Sequence, residues 1–387
     1  LSKSSAAAGR SAAGPGPERS GRSLRALQRA GDLQVRTAAE FRLLAAQQGL
    51  EQAFAGTHVV AAADAGFTDQ FALHLGLGPS DPPIRFQQAR LDGVEALCGC
   101  GPADLLLPAA GAAVLTALLQ GRAVQLDASG QASALQPRRE LHTSLRLEQI
   151  GVARLSLPRA IAENGIVGVS SAPGLTPTAL GPLLGPYGSA LHSCAGAGSI
   201  GLTMPGLAQL GPGSPVLVAG APGWVVGPGS AHQPGVSRSP LGHALAPGAS
   251  VAVSAELQGM DPRWLRACRF EGQGAGLLVA VAAPVPLLSL AMARQAAAGP
   301  ELLEAPVLDL AIPRRVKPQL GRVRYAELLR GVIQLDGGRL RCAPACSPRL
   351  AEEAASHLAE ELRAGRMPLR LPLRPLGNRS NLVPLEG

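Results

Sequence analysis

The sequence predicts an α/β or α+β fold, with a mixed and largely buried sheet flanked by helices. Three observations predict it. Short runs rich in Val, Ile, Leu and Ala are bounded by Gly, Pro, Asp or Asn, as buried strands are. Stretches with helical spacing and caps are fewer. Hydrophobic residues make up 46% of the chain and aromatics only 3%, so the core must be aliphatic.

Residues 1–22 hold mostly Ser, Ala, Gly, Arg and Pro without periodic apolar positions, and are expected to be disordered. A single domain is expected over 23–376, followed by a tail at 377–387. Thr37 with Glu40 forms a capping box ahead of Phe41, Leu44 and Ala45 at helical spacing. The run Val59 to Ala63 ends at Asp64 and Gly66 and reads as a buried strand entering a loop. Further strands are expected at Ala123–Leu126, Ile166–Val169, Val216–Ala219, Val251–Val253, Leu277–Val281 and Val332–Leu335. Helices are expected at Ala113–Leu119, Asp261–Cys268 and Tyr325–Leu329. The clearest spans 348–364, with Ser347 as N-cap, Pro348 at its first position and Gly365 beyond its end. Strand order does not follow from these spacings.

The net charge of +8 is uneven: Lys3, Arg10, Arg19, Arg22, Arg25, Arg29 and Arg36 lie at one end against Glu18 and Asp32. No basic stripe interleaved with aromatics runs through the rest, which argues against a nucleic-acid partner. The apolar run from Leu277 to Ala293 carries Pro284 and Pro286 and is too short for a membrane helix, so no membrane partner is expected. Six cysteines are too few for a disulfide framework and read as reduced thiols, the usage of a cytoplasmic protein. Cys98 with Cys100, and Cys342 with Cys346, match no standard metal-ligand spacing; neither a metal nor a cofactor is expected.

Several residues are candidates for chemistry. In Gly78-Pro79-Ser80-Asp81-Pro82-Pro83-Ile84-Arg85, two consecutive prolines stiffen a strap that presents Ser80, Asp81 and Arg85, or else simply form a solvated turn. Cys194 follows His192 and precedes Gly196 and Gly198, whose amides can approach an anion; it is either a reactive thiol or a small buried hydrophobe. The literal G-x-G-x-x-G at Gly196–Gly201 lacks both the preceding strand and the downstream acid of a dinucleotide site. His232, with Gln233 beside it in a stiff Gly-Pro-Gly loop, is a candidate acid–base or a structural histidine. Arg138 and Arg139 can clamp a carboxylate, although neighbours on a strand face opposite ways. Glu163-Asn164-Gly165 reads as a turn, and Lys317 as part of a solvated basic stretch.

Ser80-Asp81-Pro82-Pro83-Ile84, Pro137-Arg138-Arg139-Glu140, Ser193-Cys194-Ala195-Gly196 and Gly223-Trp224-Val225-Val226-Gly227 occur in an order that resembles the homocysteine biosynthesis proteins. Gly229-Ser230-Ala231-His232-Gln233 and Ala305-Pro306-Val307-Leu308-Asp309 continue the resemblance, which runs from about Leu24 to about Leu376. It implies incorporation of sulfur into the four-carbon aldehyde aspartate semialdehyde to give homocysteine, for methionine synthesis. It also implies sulfur-handling cysteines, one between the first strand and the Ser80–Ile84 tract and another just before Pro137. Here Ala65 to His74 holds no cysteine, and neither does Ala132 to Gln136. Two readings therefore stand. In one, the chain is a sulfur-inserting enzyme in which Cys194, His232 and Asp81 act on an amino-acid aldehyde held by Ser80, Arg85, Arg138, Arg139, Gly196, Gly198 and Gln233. In the other, it binds a metabolite or protein and has lost the sulfur chemistry. The resemblance leaves any sulfur carrier or ferredoxin-like electron donor to a separate protein.

Overall fold

A computed structural model describes residues 19–377 apart from 100, 271 and 273. The mixed α/β class holds, with strands in the majority. Near one edge of a fourteen-stranded sheet, Val59–Thr68 runs antiparallel to Gly274–Pro286, pairing Val59 with Pro286 and Thr68 with Leu277. Val35–Thr37 adds the sheet's only parallel pair, at one edge. On the other side follow Pro215–Val218, Ala221–Pro228, Ser250–Glu256, Ile150–Ala162 and Ala72–Leu77. A lobe built from Asp104–Leu107, Val94–Cys98, Phe86–Leu91, Val124–Gly130 and Glu140–Leu145 completes the order.

A second, six-stranded sheet has its own core. Its order is Gln319–Arg324, Glu304–Asp309, Val167–Val169, Ala190–His192, Gly338–Pro344 and Val332–Leu335. Val167–Val169 joins segments far apart in sequence, pairing parallel with Glu304–Asp309 and antiparallel with Ala190–His192.

The helix Pro348–Arg363 covers the strand pair Val59–Thr68 and Gly274–Pro286 of the large sheet and the edge strand beside it. Ser347 Oγ accepts the Leu350 amide and Pro348 occupies the first turn, where its missing N–H costs nothing. Its buried face contains Ala351, Ala354, Ala355 and Ala359, and the strand beneath offers Ala61, Ala62 and Ala63. Small residues on both sides allow close approach, which is how a core poor in aromatics stays dense.

Two expectations need correction. Order begins before residue 23: a Ser20–Ser23 capping box starts the helix Gly21–Ala30, Leu24 is fully buried, and Arg19 donates to the Phe54 and Thr57 carbonyls. Residues 1–18 and 378–387 lie outside the described residues. Residues 261–268 form no helix. Asp261 Oδ1 accepts the Arg263 amide in a tight turn, and Leu265–Phe270 pairs with Gly274–Pro286 as a strand. A local Asp side-chain bond competes with helix initiation, and the partner strand takes the backbone groups. No helix among the described residues is long and apolar enough to cross a membrane.

Candidate functional site

Between the two sheets lies a cavity of about 610 Å³. The large sheet supplies one wall. Asp64, Gly66 and Thr68 face it at the period of two expected of a strand, and Phe67, Asp69 and Gln70 continue the wall where the strand ends. The neighbouring wall comes from Ile150–Ala162, where the pairing slips: Val253 opposes Leu157, but Val251 opposes Ile161. Four steps on one strand match two on the other, a bulge at Pro158 that brings Arg159 and Ala160 together to the cavity. The small sheet contributes Ile166, Ser193, Leu308, Leu310, Tyr325, Ala345 and Cys346, and the loop Pro177–Leu180 and Lys317 close the rim.

Two charged groups give this cavity its character. Burial raises the Asp64 carboxyl to about 7, partly offset by the Ile200 amide, which donates to it. Its Oδ1 is buried and has no hydrogen-bond partner among the described residues. Burial also lowers the Arg159 pKa, and no described residue pairs with this guanidinium. A half-buried cation facing a cavity without a counter-ion is a ready site for a carboxylate. At the rim, Lys317 Nζ donates to the Ile312 carbonyl at 2.5 Å and to that of Leu310 at 3.4 Å, so it is tethered to the wall while Arg314, Arg315 and Val316 before it are exposed.

Asn164 holds the walls together. Its Oδ1 accepts the Tyr325 hydroxyl at 2.6 Å and the Gly165 amide at 2.8 Å. Its Nδ2 donates to the carbonyls of Ala244 at 2.6 Å and Glu304 at 2.8 Å. Glu163, fully buried, accepts the Gly206 and Ala249 amides and pairs with Arg238. The segment read as a turn is thus the joint between the sheets.

The residues singled out from sequence do not share this cavity. Ser80, Asp81 and Arg85 are on the surface loop after Ala72–Leu77, with Ser80 and Asp81 merely flanking the turn in which Ser80 Oγ donates to the Pro82 carbonyl. The Arg138 amide donates to the Pro83 carbonyl, placing Arg138 and Arg139 beside that same strap and away from the cavity. His232 is buried, with Nδ1 against Ser250 and Nε2 against the Gly377 carbonyl at 3.0 Å, so backbone groups occupy both nitrogens. Gln233 beside it is exposed. Cys194 lies behind the wall: Ser193 and Ala195 reach the cavity, whereas its thiol packs within the small-sheet core. Burial pushes that thiol's pKa up, the direction opposite to activation.

The glycine-rich loop serves packing. Gly198 lies against Arg42, Gly196 adopts a φ of +94°, and a Cβ on Gly201 would come within 2.3 Å of the Glu163 carbonyl. Among the thiols, only that of Cys346 reaches the cavity wall among the described residues. Burial pushes it up to about 12, and the charge on Asp64 adds to that. Cys100, half of one cysteine pair weighed for metal binding, lies outside the described residues, and no group of ligands suited to a metal ion occurs among those described. Sequence reasoning missed Asp64 and Arg159 as site residues. For Asp64 the signal was a single charged side chain inside an otherwise apolar strand, whereas Arg159 shares its strand with Arg154.

No solved structure matches this chain. An L-aspartate semialdehyde sulfurtransferase of Methanosarcina acetivorans is 29% identical over 357 residues, which span 89% of this chain and 69% of that protein. One from Methanocaldococcus jannaschii is 26% identical over 377 residues, 91% of this chain and 72% of that protein. Residues 33–369 match the family described as homocysteine biosynthesis enzyme, sulfur-incorporation, a span that takes in both sheets and every wall of the cavity. The chain belongs to that family.

Proposed function

We propose that this protein incorporates sulfur into L-aspartate semialdehyde to give homocysteine, the precursor of methionine, and that the cavity between the sheets is where it does so. The observation that carries the reading is the pairing, in one cavity of about 610 Å³, of an uncompensated guanidinium with a buried carboxyl. Arg159 suits the substrate carboxylate through paired charge-assisted hydrogen bonds. Asp64 then stands where a polar reacting group would be placed. The volume lies within the range of small-molecule sites and accommodates a four-carbon amino acid together with a small nucleophile. The names of the two relatives support the choice of aldehyde.

Conversion of the aldehyde with hydrosulfide to a thiol releases water and consumes two electrons and three protons. The electrons would come from a separate protein donor. Free thiols at the five described cysteines fit a reducing cytoplasm. The test is growth of a homocysteine-requiring strain supplied with this chain. Growth is expected, and its restoration should be lost with Arg159→Met. Failure of the unmodified chain to restore growth, or to form homocysteine from the aldehyde, sulfide and a reductant, would return the protein to the class of non-thiolating binders.

A further inference from the structure

Resting on that reading, we infer that Asp64 is the proton donor to the aldehyde oxygen and that the sulfur arrives as free hydrosulfide, not on a protein thiol. The geometry singles out Asp64. Its carboxyl is buried in the cavity wall, the Ile200 amide holds one side, and Oδ1 is left without a partner among the described residues. The Asp64 side chain lines the cavity, where its carboxyl can meet a ligand atom, while Oδ1 itself is enclosed and unsatisfied, an arrangement that favours the protonated form. The backbone fixes where the side chain starts: Asp64 is paired with Val281 within the ten-residue ladder between Val59–Thr68 and Gly274–Pro286.

The thiols point the other way. Cys194 and Cys342 belong to the small-sheet core and stand back from the cavity. Cys346 forms part of the wall, held by a bridge to Gly66, and its thiol donates to the Cys194 carbonyl at 3.4 Å. Attack on a sulfur donor needs a thiolate. Here burial and the adjacent Asp64 carboxylate both disfavour one.

The step balances without a redox partner. The hydrosulfide sulfur forms a bond to the aldehyde carbon, the carbonyl π pair moves to oxygen, and that oxygen takes the Asp64 proton. The product is a carbon bearing one hydroxyl and one thiol. Asp64, now a carboxylate, accepts the thiol proton and returns it to the hydroxyl, which leaves as water as the carbon–sulfur double bond forms; a proton from solvent then restores the Asp64 acid. Reduction of that bond by two electrons and two protons is the later task of the separate electron-donor protein. A carboxyl near 7 is suited to giving and taking protons in turn.

The experiment uses the purified full chain with L-aspartate semialdehyde, sodium sulfide and a low-potential chemical reductant, with homocysteine read by mass spectrometry. Asp64→Asn should lower kcat by about 10²-fold or more, the usual contribution of a positioned proton donor. Cys346→Ser alters the cavity wall, yet its loss should be at least about tenfold smaller than that of Asp64→Asn, because no step passes through the thiol. At fixed hydrosulfide, activity of the unmodified chain should fall as pH rises through about 7, as Asp64 loses its proton. Cys346, Tyr325, Arg159, Lys317 and Asp69 also line this cavity, so the assignment to Asp64 requires that the fall vanish from the residual activity of Asp64→Asn. Loss in Cys346→Ser equal to that in Asp64→Asn, full activity in Asp64→Asn, or a profile of the unmodified chain flat through neutrality would each overturn the inference while leaving the proposed function standing. Absence of product from the unmodified chain would overturn both.

Discussion

At the scale of single residues, Asp64 links the chemistry of the cavity to the stability of the fold. Its folded pKa, about 7, lies above the unfolded value. Below about pH 4 both states are protonated and the group contributes nothing. Between about pH 4 and about pH 7 the native state holds a proton that the unfolded state has released, so stability falls as pH rises. The full loss is on the order of 4 kcal/mol, and it persists above the folded pKa. Asp64→Asn removes the penalty, so its melting temperature should exceed that of the unmodified protein by a margin that widens from about pH 5 to about pH 8. A margin independent of pH would mean that the carboxyl is not buried as described. A group kept at a cost to stability is what a functional site often contains. Its signal in the sequence was faint but physical: Asp64 interrupts the apolar run Val59 to Ala65, whereas Arg159 was masked by Arg154 and Pro158 in the same strand. Cys194 and His232 drew attention through neighbouring glycines and histidines, a local property. Whether a side chain faces a cavity depends on which strand lies beside it, and that is not local information.

At the scale of elements, legibility followed the range of the interactions that decide each one. Tyr325–Leu329 and Pro348–Arg363 were readable because caps, prolines and apolar spacing act within a turn or two. The thirteen-residue strand Ile150–Ala162 was not, since Pro158 and Arg159 break its pattern at the bulge that creates the site wall. The glycine-rich loop was legible as a loop and not as a joint. Gly201 exists there because the backbone of Glu163 passes too close for a side chain, and Gly165 because Cys194 does the same. Gly201→Ala would set a methyl within 2.4 Å of the Glu163 Cα, with backbone on the far side and nothing flexible to yield. The expected cost is about 1–3 kcal/mol, measured by denaturant unfolding. Gly196→Ala meets nothing within 4 Å, and its only strain is the positive φ. It should cost less, and equal losses at both sites would contradict a close joint at Gly201.

At the scale of the whole molecule, the cavity is a seam between two cores, and a ligand in it must touch both. No sequence reading could have placed it. Its walls come from residues near 64, 159, 178, 193, 308, 325 and 346, brought together by long-range strand pairs such as Val59–Thr68 with Gly274–Pro286 and Val167–Val169 with Glu304–Asp309. The seam makes binding measurable without any turnover. An amino acid that keeps the substrate's carboxylate but lacks the aldehyde should bind through Arg159 and raise the melting temperature, by about 2.7 kcal/mol of linkage at a hundred times its Kd. Arg159→Met should weaken this binding by about tenfold or more, since a charge-assisted hydrogen bond contributes about 1.5–3 kcal/mol. Because Asp64 to Gln70 lie on the large sheet, and the loop Pro177–Leu180 and Lys317 join the small one, the same ligand should slow amide exchange on both sides of the seam together. Protection confined to one sheet would place the ligand elsewhere. The strap at Ser80–Arg85 should show no change, and protection there would restore the surface loop as the binding site.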